Sequence, residues 1–535
     1  MHESPPDLNP AIDPSVFARR WRILAVLCTS LMIVVIGNTA LNVAIPTLAR
    51  ELGADTSDLQ WMVDAYSLVF AGMLFTAGTI GDKFGRKGTL QFGLVLFLGG
   101  TLLASTAHTA GVVIAARAVM GLAAAFVMPS TLSLLTNVFP ASERPKAIAI
   151  WAGLSGAGGA IGPIASGFLI EHFYWGSVFL VNVPVIIVAL VAGKLLLPTS
   201  RNPEEAPLDI PGAALSIAGL GSLVYGIIEG PSHGWLNGHT LGIFAFALTA
   251  LGLFGWRELT AEHPMLDLRF FKDRRFSVAS GGMTLIFFAM FGTFFLVAQY
   301  LQLVLGYSAL AAGLFQLPFA FVMMAVSPQV PKLVARYGVA GVVPKGLALV
   351  AFGLFAFSFV GVDTPLWVIY GPILLLAGGM SLTMSPMTTL IMSAVPLGKA
   401  GVGSAMNDTT RELGGALGVA ILGSLVTSAY TSSIAGATAG LTGVQRAEAS
   451  SGLVGAYRVA QGLGEAGGRL VDAANHAFVD GLGLAATVGS VIVLGASIAA
   501  WRLLPRPHTA AAEAMDIAAG ADLEVLDGVL ATADA

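Results

Sequence analysis

Apolar positions in this chain fall in long blocks rather than in the alternating or three-to-four rhythm of a half-buried strand or helix. Blocks with few or no charges occupy roughly 23–45, 60–81, 88–107, 112–136, 145–170 and 177–197, then 209–229 and 240–258, then 277–303, 309–330, 340–361, 366–391, 404–430 and 477–500. A helix needs about 20 such residues to cross a hydrocarbon core of about 30 Å. In lipid each backbone polar group must be bonded within its own segment, which leaves helices as the spanning element for blocks of this length. The pattern therefore predicts an all-α polytopic membrane protein with fourteen transmembrane helices. The first block is too long for a signal-peptide core and reads as a retained helix.

The loops between the blocks are unequal in charge. One alternating set, with both termini, carries 19 Lys and Arg residues, while the other set, although it contains the longest loop, carries only Arg50, Arg446, Arg458 and Arg469. Cytoplasmic loops hold the excess of basic residues, so both termini are expected in the cytoplasm. Duplication is common in transporter folds. Here G-D-K-F-G-R-K from Gly81 follows the second block, and P-K-L-V-A-R-Y-G from Pro331 follows the tenth. Both set basic residues around a short turn at the same point of a six-helix unit. The expected organisation is a cytoplasmic tail 1–22, a six-helix bundle 23–197, two inserted helices with cytoplasmic linkers 198–276, a second six-helix bundle 277–504 with an outer loop 431–476, and an acidic cytoplasmic tail 505–535. The outer loop is Gly- and Ala-rich and reads as loop or partly amphipathic helix.

Composition narrows the function. Charged residues make up 11% of the chain, against roughly 25% in soluble proteins, so a soluble enzyme is excluded. Cys28 is the single cysteine, and an internal disulfide or multi-cysteine metal cluster cannot form. The net charge of −4 gives no footprint for nucleic acid. The 65 glycines suit a bundle whose helices approach closely. No G-x-x-x-x-G-K-[ST] run is present, so energy from ATP hydrolysis by this chain is not expected. G-L-G-E-A-G at Gly462 fits a dinucleotide pattern but has no strand before it, and the pattern has no meaning outside a strand–turn–helix unit. Neither a cofactor nor a metal is implied.

Residues 78–88, G-T-I-G-D-K-F-G-R-K-G, closely resemble the signature between the second and third helices of the major facilitator superfamily. Gly85 permits a tight turn, while Asp82, Lys83, Arg86 and Lys87 supply charges able to lock helices together and to gate transport. Residues 158–167, G-G-A-I-G-P-I-A-S-G, resemble the fifth-helix motif of exporting members, with Gly158, Gly162 and Gly167 clearing a face for close approach and Pro163 supplying a bend. Ser166 stands where the usual pattern has glycine. W-M-V-D-A-Y-S-L at Trp61, M-P-S-T-L-S-L at Met128, F-L-V-N-V-P at Phe179 and G-V-G-S-A-M-N-D at Gly401, with the helix count, look like the fourteen-helix drug:proton antiporter family. Within it the chain is most similar to bacterial exporters of quaternary ammonium compounds and other lipophilic drugs. The resemblance covers roughly residues 20–505 and implies the major facilitator fold, two six-helix bundles plus two inserted helices.

Ionisable groups inside a span are costly, at about 2.5–3.5 kcal/mol on insertion scales, and each needs a reason. Asp64 and Arg117 lie at similar depth from the outer ends of the second and fourth spans, where they can pair and exchange a proton as helices separate. Arg117 matches the family's proton-linked arginine, although Met120 replaces the glutamine usual three residues later. Asp408 and Glu412 share one face at the start of the thirteenth span. The resemblance links acids there to proton or cation handling; a helix-start role, with Asp408 bridging to Lys83 or Arg86, is the alternative. In the first span Gly37 stands where the family usually has an aspartate, leaving Asn38, Thr39 and Asn42 as a neutral polar face. Phe287 and Phe291, with Phe294 and Phe295, form a stripe on the ninth span that either packs or lines a drug cavity.

The resemblance implies a multi-pass protein of the bacterial plasma (inner) membrane, functional as a monomer, exporting small hydrophobic or cationic molecules in exchange for protons by alternating access. Its partners are those molecules, protons and membrane lipid, with no nucleic acid. Asp64, Arg117, Asp408 and Glu412 are the coupling candidates, and Asn38, Thr39, Asn42, Phe287 and Phe291 the cavity candidates. Export of an endogenous lipid or metabolite, and a non-transporting scaffold or sensor, remain as other readings.

Overall fold

The computed structural model describes residues 13–41, 44, 47–48, 51–52, 56–200, 209–261, 264 and 266–504. Asn42, Arg50, Arg201 and the two tails therefore lie outside the described residues. Fourteen helices among the described residues are long and apolar enough to span a membrane: α1 (Pro14–Thr39), α2 (Trp61–Phe84), α3 (Arg86–Ser105), α4 (Ala110–Val138), α5 (Arg144–His172), α6 (Ser177–Leu196), α7 (Ile210–Gly230), α8 (Gly238–Thr260), α9 (Arg274–Val304), α10 (Leu310–Tyr337), α11 (Val339–Phe357), α12 (Leu366–Ser393), α13 (Ala400–Thr438) and α14 (Glu465–Leu503). No strand occurs among them.

Side-chain acceptors mark several of the starts. Asp13 accepts from the Ser15 amide at 2.7 Å, Asn237 from His239 at 3.1 Å and Asp273 from Arg275 at 2.7 Å. Each relieves an N–H that has no partner within its own helix. Asp209 caps α7 through the Gly212 amide at 3.0 Å and also accepts from Arg257 Nε at 2.8 Å, tying the start of α7 to the end of α8.

Helices α1–α6 and α9–α14 form the two six-helix halves, and the inserted helices α7 and α8 pair with each other. Within the halves the closest partners are α2 with α4, α3 with α4, α9 with α13, and α11 with α12 and α14. The halves meet along two seams, α2 against α13 and α5 against α10. On the first, a Cβ on Gly78 would come within 2.6 Å of the Gly401 carbonyl oxygen, so only glycine allows this approach. Helix α7 lies over this seam: it packs on both α2 and α13, stacks Tyr225 on Trp61 at 6.0 Å, and is followed by Trp235, which donates to Ser424 Oγ on α13 at 3.2 Å. Buried α4 and lipid-exposed α8 mark the extremes of burial.

The apolar blocks mark the membrane part of the last two helices but miss their length. α13 runs to Thr438 rather than about 430, and α14 begins at Glu465 rather than about 477. At about 1.5 Å per residue, 39 residues reach well past a 30 Å core. Helices Gly443–Ser450 and Leu453–Gln461 fill most of the stretch between them. They are held by Tyr430, donating to the Ala449 carbonyl at 3.0 Å, and by Tyr457, whose hydroxyl lies 2.6 Å from both the Leu303 carbonyl and the Asn475 side chain. Tertiary contacts, rather than hydrophobic length, keep this segment helical.

Candidate functional site

At the face bearing the Arg- and Lys-rich loops, which we call the basic face, the turn between α2 and α3 is made by Gly85 at φ 112°, a conformation costly for any residue with a Cβ. The turn returns Arg86 onto Asp82, which accepts from Arg86 Nε at 2.8 Å and Nη2 at 2.6 Å. The same carboxylate crosses to the other half and accepts from the Gly401 amide at 2.9 Å and the Val402 amide at 3.3 Å. α13 has no side-chain cap of its own, so Asp82 caps it from outside, with the favourable sign for the helix dipole. Arg86 also donates to the Gly398 carbonyl at 3.0 Å and to Ser200 Oγ at 3.0 Å. Of the other basic residues of the motif, Lys87 caps the end of α6 through the Lys194 and Leu197 carbonyls, and Lys83 stands 5.7 Å from the Phe84 ring centre.

Arg117 on α4 is fully buried. It donates to the Met62 carbonyl at 2.9 Å, the Gly37 carbonyl at 2.9 Å and Asn38 Oδ1 at 3.3 Å, and its guanidinium lies 4.4 Å from the Tyr66 ring centre. Asp64, half-buried on α2, stands close enough for its charge to act on this guanidinium. A buried guanidinium needs several acceptors in fixed directions, and the α1 and α2 backbones supply two of them.

Gly37 explains part of this arrangement. A Cβ there would lie 2.7 Å from Phe97 Cζ and 3.5 Å from Met120 Cε. The position where the family usually has an acid and the position where it usually has a glutamine are thus neighbours, and both are apolar in this chain. Thr39 is turned to α5, where a Cβ on Gly162 would collide with its Oγ1, and a Cβ on Gly158 would meet Val35 at 3.1 Å. Pro163 stands inside α5, close to Gly313 of α10. The fifth-helix motif therefore joins α5 to α1 on one side and to the other half on the other.

The acids of α13 lie deeper than a helix-start role allows. The helix begins at Ala400, so Asp408 is about 12 Å inside at about 1.5 Å per residue. Its Oδ1 accepts from Arg411 Nη1 at 3.5 Å and Asn407 Nδ2 at 3.4 Å, and its buried Oδ2 has no hydrogen-bond partner. The suggested bridge to Lys83 or Arg86 is absent, and Asp82 takes that place. Glu412, half-buried one turn deeper, faces the Ser67 hydroxyl of α2. Arg411 donates to Ser155 Oγ on α5 at 2.7 Å and lies 4.8 Å from the Phe287 ring centre and 5.5 Å from that of Trp151. Phe287 is buried and pairs with Phe291 at 6.0 Å, whereas Phe295 is exposed. The phenylalanine stripe thus turns from the seam towards lipid.

Trp151, Ser155, Ser200 and Gly398 were not indicated by the sequence. Trp151 and Ser155 share a face at i, i+4 on α5, a polar group within an otherwise apolar span, and that was the available signal. Among the described residues no cluster of three or more His, Cys, Asp or Glu is placed to hold a metal.

Fourteen spanning helices, twelve in two six-helix halves and two inserted between them, with polar groups buried where the halves meet, define a membrane transporter. The chain belongs to the Major Facilitator Superfamily, which its residues 27–419 match. It is 36% identical over 481 residues to the multidrug efflux pump LfrA of Mycolicibacterium smegmatis, covering 90% of this chain and 95% of that one. It is 35% identical over 487 residues to the methyl viologen resistance protein SmvA of Salmonella typhimurium, covering 89% and 97%. The crystal structure of the human organic anion transporter MFSD10 (TETRAN) shares the fold, with a TM-score of 0.59 at 14% identity over 90% of this chain and 99% of that one.

Proposed function

We propose that this chain is a secondary active multidrug exporter of the bacterial plasma membrane. It works as a monomer with both termini in the cytoplasm and moves small hydrophobic or cationic compounds outward in exchange for protons by alternating access. The observation that carries the reading is the placement of Asp408 and Glu412. Both sit on α13 at the seam, one linked through Arg411 to Ser155 of the opposite half and the other facing Ser67 there. Separation of the halves breaks the Arg411–Ser155 and Glu412–Ser67 links and opens these carboxyls to water, and such a change in surroundings makes a carboxyl take up or lose a proton. Asp64 and Arg117 serve the same purpose nearer the opposite face, Asn38, Thr39, Asn42, Phe287 and Phe291 line the substrate path, and Asp82 with Arg86 gates the cytoplasmic side. The named activities of LfrA and SmvA support the substrate class.

Everted vesicles test the reading directly. A drug panel should provoke proton release from vesicles bearing the wild type, and Asp64→Asn, Asp408→Asn and Glu412→Gln should each diminish it. Drug uptake with no accompanying proton movement would overturn antiport, and unchanged coupling in all three variants would overturn the assignment of the acids. The apolar filling around Gly37 by Phe97 and Met120 favours a second reading, export of an endogenous neutral lipid or metabolite. Total indifference to the drug panel, with the protein folded, would select it.

A further inference from the structure

The seam between the halves is occupied by a cation belonging to the protein itself. The Arg411 guanidinium lies over Phe287 of α9 and Trp151 of α5, at 4.8 and 5.5 Å from the ring centres, with Asp408 beside it and Ser155 Oγ 2.7 Å away. Trp151 is held in place by its own indole N–H, which donates to Thr131 Oγ1 at 3.2 Å. Trp151, Phe287 and Asp408 are each no more than 3% exposed. Two aromatic faces and a carboxylate are the surroundings that recognise a quaternary ammonium or similar soft cation.

The carboxylate is poorly used by its present neighbour. Its contacts on Oδ1 are long, at 3.4 and 3.5 Å, and Oδ2 has no hydrogen-bond partner although it is buried. A buried carboxylate and guanidinium serving mainly each other would form short, two-pronged bonds. Here the shortest bond of Arg411 goes instead to Ser155 of the opposite half, at 2.7 Å.

We propose that Trp151, Phe287 and Asp408 form a recognition slot for a singly charged lipophilic cation, and that Arg411 fills it as a tethered substitute until such a cation arrives. This rests on the export reading and adds to it the site and the charge of one substrate class. The arriving cation displaces the guanidinium one charge for one, so the slot stays neutral beside Asp408. Displacement also breaks the Arg411–Ser155 bond, which ties α13 to α5 across the seam, so loading the slot loosens the halves.

The test is direct binding of tetraphenylphosphonium to the purified full-length protein in nanodiscs. Removing the tethered competitor with Arg411→Ala should tighten binding about tenfold, the equivalent of a cation–aromatic contact of 1–2 kcal/mol. Arg411→Lys, which retains a tethered cation, should bind no more than about threefold tighter than wild type, within the ordinary range of an exposed-to-buried cation contact. Trp151→Leu and Asp408→Asn should weaken binding by about tenfold or more. Structural damage weakens binding and does not tighten it, so a gain in Arg411→Ala cannot come from misfolding. Unchanged or weaker binding in Arg411→Ala, with the protein monodisperse and Arg411→Lys binding as wild type, overturns the slot. Drug transport that persists alongside that result leaves the export reading standing. The predicted binding pattern without transport of any drug overturns the export reading and leaves the slot.

Discussion

The two halves turn between their second and third helices in the same way but do different chemistry there. Gly85 and Gly338 both adopt positive φ, 112° and 70°. Two residues before each, a cation stands over an aromatic ring, Lys83 over Phe84 at 5.7 Å and Arg336 over Tyr337 at 5.2 Å. Counting from the glycines, however, Asp82 corresponds to Ala335 and Arg86 to Val339. The backbone and the interfacial cation–ring pair are common to both halves, while the clasp that crosses the seam is confined to the first. A duplicated fold supplies a symmetric frame, and one acid and one arginine place these contacts across the seam in a single turn.

The largest effect should come from breaking that asymmetry. Asp82→Asn leaves Arg86 buried without its counter-ion and the start of α13 with a neutral acceptor in place of a carboxylate. Loss of one partner of a buried pair costs about 3 kcal/mol or more, which is about a hundredfold in the ratio of closed to open forms. A cysteine-labelling assay at Ser200 should show the basic face open far more often, with transport falling accordingly. Ala335→Asp, on an exposed position of the other turn, should leave labelling unchanged. If the two substitutions act alike, the clasp is not special to the first half.

A smaller effect sharpens what the halves share. Lys83→Gln and Arg336→Gln should each lower stability by about 0.5–1 kcal/mol, the range for exposed cation–ring contacts, and by similar amounts in thermal unfolding. A clear inequality would show that the common geometry is not energetically common.

The smallest concerns a second tie on the basic face, within the first half. Arg20 donates to both oxygens of Glu143, at 2.6 and 2.8 Å, and holds that carboxyl below its ordinary range. A depressed carboxyl contributes stability above its unfolded pKa of 4.5 and loses it as pH falls through the lower folded value. Partly exposed pairs of this kind contribute about 0.2–1 kcal/mol. Glu143→Gln should therefore melt slightly earlier at pH 7, and the gap from wild type should narrow as pH falls below 4.5 and close once the carboxyl is protonated in the folded state. A gap that persists into acid would assign the effect to packing.

The sequence carries the spans plainly because lipid demands apolar length, and it carries the Gly85 turn because only glycine suits that backbone. Two kinds of information are not legible there. Partners reached through backbone carbonyls, such as Met62 and Gly37 for Arg117 or Gly398 for Arg86, have no side-chain signature. Contacts between distant helices, such as Ser155 with Arg411, depend on how two surfaces meet. The family pattern pointed to Gly37 and Met120 as separate departures, and their adjacency became visible only when α1 and α4 were placed side by side.

Helix α7 has a consequence for how the two seams face the membrane. By lying across α2 and α13 it puts protein, rather than acyl chains, against that line of contact. The α5–α10 line instead adjoins exposed Phe168, Leu314 and Phe321. A compound dissolved in the bilayer thus meets two unequal flanks, one shuttered by the inserted pair and one bordered by aromatic and aliphatic side chains in contact with lipid. The inserted pair gives a nearly two-fold molecule a front and a back within the plane of the membrane.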